Sequence, residues 1–66
     1  MNIAINGQAK QLPDALNISE MVSQFCKDKT PVIAEVNGKV IQKHQWSEII
    51  LKEGDTVELV SFVGGG

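Results

Sequence analysis

Apolar and polar positions alternate at the start of the chain. Met1-Asn2-Ile3-Ala4-Ile5 places Ile3 and Ile5 on one face, the pattern of a half-buried strand. Asn6-Gly7 follows, and an Asn-Gly pair between strand-like runs predicts a two-residue hairpin because both turn positions need positive φ. The return strand runs from Gln8 to about Leu12, and Pro13-Asp14 ends it. The period then turns helical. Asn17-Ile18-Ser19-Glu20 carries a capping signature, in which Asn17 accepts from an unpaired backbone N–H and Glu20 reaches back. Ile18, Met21, Val22 and Phe25 fall at i, i+3, i+4 and i+7 as one apolar stripe, with Ser19, Glu20, Ser23, Gln24 and Lys27 toward water. The helix is expected to stop near Lys27 or Asp28, since Pro31 biases Thr30 away from helical geometry.

Val32-Ile33-Ala34-Glu35-Val36 reads as a third strand, and Asn37-Gly38 turns it into a short Lys39-Val40-Ile41 strand. His44-Gln45-Trp46-Ser47 lacks strand character and is expected to form a turn or a short 3₁₀ piece. Ile49-Ile50-Leu51 is expected to anchor the chain, Glu53-Gly54-Asp55 to turn it, and Thr56 to Phe62 to form the last strand. Hairpin, helix, then further strands predict an α+β fold: a mixed sheet of about five strands with one main helix across one face and the other face open. If Val57, Leu59 and Ser61 point to the helix, Glu58, Val60 and Phe62 point to the open face. Val60 and Phe62 would then form an exposed apolar pair, which together with Val63 is the expected docking surface for a partner. A slip of one residue would expose Val57 and Leu59 instead. Residues 1–63 read as one domain, followed by a flexible tail, 64–66.

Composition narrows the chemistry. A chain of 66 residues buries only about 60% of the surface its unfolded form exposes, leaving no room for a lined substrate cavity. Whatever chemistry it joins is expected at its surface or its ends. A net charge of −2 offers no basic footprint for nucleic acid or an anionic membrane, and no apolar run approaches the roughly 20 residues of a spanning helix. The single cysteine, Cys26, makes no internal disulfide, and the first residues lack the pattern of a secretory signal, so a cytoplasmic location is expected. His44 stands alone, so no metal is expected, and the scattered carboxylates suggest no acid–base pair. Cys26 reads as a partly buried small hydrophobe and Trp46 as a packing anchor. The chain is expected to be no enzyme by itself, with no catalytic residues and no bound cofactor.

The candidate chemistry lies in Gly64-Gly65-Gly66. Without Cβ atoms this arm is slender, and Val63 to Gly66 can reach about 13 Å beyond the sheet. It can thread a narrow cleft and leave the Gly66 carbonyl carbon open to attack. A carboxylate resists nucleophiles until activated, so an ATP-using partner is implied.

The chain resembles the ThiS sulfur carriers of thiamine biosynthesis, within the ubiquitin-like β-grasp group that also holds the small subunit of molybdopterin synthase. The residues that carry the likeness are the opening strand with Asn6-Gly7, then Val36-Asn37-Gly38 with Trp46 downstream. Leu51 with Gly54-Asp55-Thr56-Val57 follows, and Phe62-Val63-Gly64-Gly65-Gly66 ends it. At Gln42-Lys43 the family often has Pro-Arg, so charge is kept at Lys43 and a rigid turn is lost. The resemblance implies a carrier whose Gly66 carboxylate is adenylated by a ThiF-type enzyme with ATP. Sulfur from a cysteine desulfurase then converts it to a thiocarboxylate, which a ThiG-type thiazole synthase uses to build the thiazole ring. A carrier for the molybdopterin pathway and a ubiquitin-like binding module with idle glycines are the alternatives.

Overall fold

The structure is a computed structural model that describes residues 1–26 and 31–61. Strand β1 (Asn2–Ile5) pairs antiparallel with β2 (Gln8–Gln11) through the Asn6-Gly7 turn. Helix α1 (Ile18–Phe25) follows, then β3 (Val32–Val36), β4 (Lys39–Ile41), a 3₁₀ turn over Lys43–Gln45, and β5 (Thr56–Ser61). The sheet order is β2-β1-β5-β3-β4. The last strand is therefore the central one, parallel to β1 and antiparallel to β3. This is the mixed five-stranded sheet with one helix that the sequence pattern predicts.

Both Asn-Gly turns form as their chemistry requires. Asn6 and Asn37 take φ of 51° and 52°, and Gly7 and Gly38 take 80° and 81°. The helix begins in the predicted capping box: Glu20 N donates to Asn17 Oδ1 at 2.7 Å and Asn17 N donates to Glu20 Oε1 at 3.0 Å. The segment before β5 satisfies more of that first turn, since Ile18 N donates to the Ile49 carbonyl and Ser19 N to the Trp46 carbonyl. Trp46 is buried and its indole N–H donates to the Ile41 carbonyl at 3.1 Å, which makes it the packing anchor expected.

The core lies between helix and sheet, with Ile3, Ile5, Ile18, Met21, Leu51 and Val57 among its buried members. Three details depart from the sequence reading. The helix ends at Phe25, short of Lys27, with Cys26 leaving helical geometry. Phe25 belongs to the predicted apolar stripe but is exposed. Beneath this end of the helix lie Gln8 and Lys10, which pair with Ile5 and Ile3 and so share their face. With polar side chains there, no apolar surface holds another turn, and the Lys10 ammonium stands 5.9 Å from the Phe25 ring centroid. Ile50 is also exposed, while Ile49 and Leu51 on either side turn inward as anchors.

Candidate functional site

The site is built around the C-terminal end of β5. Val57 is fully buried and Leu59 half-buried on the helix side, whereas Glu58 and Val60 are exposed on the other face. The register is thus the one that directs Val60 outward. Val60 is 48% exposed, and directly opposite it on β3 stands Ile33. Val40, on the neighbouring strand, is also exposed on this face. Sequence reasoning placed Val60 here and missed Ile33 and Val40, because their membership depends on which strands flank β5.

Two asparagines fix the strand from both sides. Asn37 N donates to the Thr56 carbonyl at 2.7 Å, and Thr56 N donates to Asn37 Oδ1 at 3.0 Å. The Asn37 amide also donates to Asp55 Oδ1, while Asp55 Oδ2 accepts from Lys52 N and closes the turn before the strand. On the opposite edge β1 ends at Ile5, yet Asn6 N donates to the Val57 carbonyl and Asn6 Oδ1 accepts from Leu59 N at 2.8 Å. The side chain of a turn residue thereby continues the ladder past the end of its strand. Held on both flanks, β5 is a rigid base for whatever follows Ser61.

Phe62, Val63, Gly64, Gly65 and Gly66 lie outside the described residues, as does the expected boundary between domain and tail. On the helix side, next to Ser61, an open hollow of about 350 Å³ is lined by Asn6, Lys10, Phe25, Cys26 and Leu59, among others. Cys26 is a free thiol there, half-buried as expected of it. Among the described residues no helix is long and apolar enough to cross a membrane.

A mixed sheet whose last strand is central, crossed by one helix and open on its far face, defines a ubiquitin-like β-grasp protein. The ThiS family model matches residues 3–66. The chain belongs to the ThiS family. The sulfur carrier protein ThiS of Bacillus subtilis (strain 168) is 32% identical over 65 residues, covering 97% of this chain and 98% of its own. The crystal structure of the thiamine biosynthesis protein ThiS from Geobacter metallireducens matches with a TM-score of 0.82 and 31% identity across all of both chains. A thiazole synthase of Paramagnetospirillum magneticum (strain ATCC 700264 / AMB-1) is 26% identical over all 66 residues, and this chain spans 20% of its length.

Proposed function

We propose that this chain is a sulfur carrier of thiamine biosynthesis and that its working group is the carboxylate of Gly66. The observation that carries this reading is the family match, which runs through residue 66 and so includes the three glycines, on a fold whose central strand ends just before them. A slender arm on a rigid base delivers its end to a reactive centre with little orientational loss.

The chemistry follows from what a carboxylate needs. A Gly66 carboxylate oxygen attacks the α-phosphorus of ATP on a ThiF-type adenylating enzyme, pyrophosphate leaves, and the acyl carbon now carries AMP as leaving group. Sulfur passed on by a cysteine desulfurase as a persulfide attacks that carbon and displaces AMP, and a thiol then cleaves the S–S bond of the resulting acyl disulfide, leaving a thiocarboxylate and a separate disulfide. The terminal sulfur is a soft, exposed nucleophile, and a ThiG-type thiazole synthase takes it into the thiazole ring. The thiazole synthase similar to this chain supports that last partner, since one polypeptide there holds a segment resembling the whole carrier. Gly64 and Gly65 give reach. Val60, Phe62 and Val63 make the docking contact, with Ile33 and Val40 extending the apolar area beside Val60. The protein is a co-substrate and not a catalyst, it works in the reducing cytoplasm, and the ATP is bound by its partner.

Intact mass spectrometry after incubation with the adenylating enzyme, ATP and the sulfur donor tests this. One oxygen of the chain is expected to be replaced by one sulfur. An unchanged mass with partners of proven activity would count against the proposal.

A further inference from the structure

The chain holds two Asn-Gly turns that form a matched pair. Asn6 and Asn37 take φ of 51° and 52°, the glycines after them take 80° and 81°, and all four residues are exposed. An Asn-Gly pair is open to one hydrolytic reaction above others. The backbone nitrogen of the glycine attacks the side-chain carbonyl carbon of the asparagine, ammonia leaves, and a succinimide closes. Water then opens that ring to an aspartyl or an isoaspartyl residue. Glycine carries no Cβ to hinder the attack. With backbone and exposure alike at the two turns, a difference between them lies in what holds each side chain.

Asn37 is held at both ends of its amide. Its Oδ1 accepts from Thr56 N at 3.0 Å and its Nδ2 donates to Asp55 Oδ1 at 3.0 Å. Among the described residues Asn6 is held through its side-chain oxygen alone, which accepts from Leu59 N at 2.8 Å. To cyclise, either side chain must swing its carbon toward the glycine nitrogen and give up these bonds. Asn37 gives up one more, and to a charged partner. Electrostatics act in the same direction. The attacking nitrogen loses its proton and negative charge develops on the amide, which the Asp55 carboxylate beside Asn37 opposes. Asn6 borders a hollow that Lys10 also lines, with no carboxylate among the described residues around it.

We propose that Asn6 is a hydrolytic modification site of this chain, converted through a succinimide to aspartyl and isoaspartyl forms, while Asp55 shields Asn37 from the same reaction. The two aspartyl products differ in kind. At position 6 a carboxylate still accepts the Leu59 N–H, more strongly for its charge, and shares its hollow with the Lys10 cation. At position 37 a carboxylate stands against Asp55, where the amide donor now sits. The isoaspartyl form at position 6 inserts one more carbon into the chain between β1 and β2. It breaks the turn and loosens its hold on β5 at Leu59, close to where that strand ends at Ser61. One site thus yields a tolerated form and a disruptive one. None of this depends on the carrier reading.

The test is ageing of the full, folded chain in mildly alkaline buffer, with each site followed by fragmentation mass spectrometry as a gain of about one mass unit. Asn6 is expected to convert about tenfold faster than Asn37. In denaturant, where the folded contacts are gone, the two sites are expected to convert at similar rates. Asp55→Ala in the folded chain is expected to speed Asn37 severalfold and to leave Asn6 unchanged. Thermal melts of two further variants read the aspartyl products separately. Asn6→Asp is expected to keep or raise the melting temperature, and Asn37→Asp to lower it by several degrees. Equal rates at the two sites of the folded chain overturn the proposal, as does faster conversion of Asn37. So does an Asn6 that stays intact while the denatured chain converts, or a melting temperature lower for Asn6→Asp than for Asn37→Asp.

Discussion

Asn6 takes positive φ at the first hairpin, and from there its side-chain oxygen accepts the Leu59 N–H near the end of the chain. The two roles separate by substitution. Asn6→Gly keeps the turn conformation and removes the acceptor, so it is expected to cost about 1 kcal/mol in urea unfolding with the denaturant slope unchanged. A change of only a few tenths would mean that water replaces the bond. The turn was legible in the sequence because Asn-Gly is a local signal. The bond to Leu59 was not, because it depends on where a strand some fifty residues later is laid down. The same holds for Asn37, whose turn the sequence reveals and whose contacts with Thr56 and Asp55 it does not.

At the scale of elements, the helix start illustrates what local chemistry determines. The capping box forms as its residue types predict, and Asn17→Ala is expected to lower stability by about 1 kcal/mol, read as a lower melting temperature. The helix end shows the limit of periodicity. Phe25 continues the apolar stripe, but whether a stripe is covered depends on the strand beneath it, and β2 presents Gln8 and Lys10 there. Gln42 offers a third case. It stands where the family often has proline, and its φ of −66° already suits proline, with the extended end of β4 before it. Gln42→Pro is therefore expected to stabilise the fold by about 0.4–1 kcal/mol through the unfolded chain, measured as a higher urea midpoint. A lower midpoint would show that the turn has some other requirement.

Across the whole molecule, the fold class and one of two possible placements of Val60 were readable, because strand alternation and one helical stripe fix the layers but leave the last strand two registers, between which the burial of Val57 and the exposure of Val60 decide. The neighbours of Val60 were not, since the order β2-β1-β5-β3-β4 puts the chain's last strand between its first and its third. Docking through this face predicts that Val60→Ser weakens partner binding by about 1 kcal/mol while leaving the melting temperature nearly unchanged, because Val60 is half exposed in the free chain. Equal loss of stability and binding would instead assign Val60 to the core. The central claim is that sulfur is carried on Gly66, and the Cys26 thiol beside the base of the tail supplies a sharp contrast. Fragmentation of the sulfur-loaded chain in the mass spectrometer distinguishes the two directly. The account predicts one oxygen exchanged for one sulfur on the terminal glycine. Sulfur added without loss of oxygen, on the fragment containing Cys26, would contradict it.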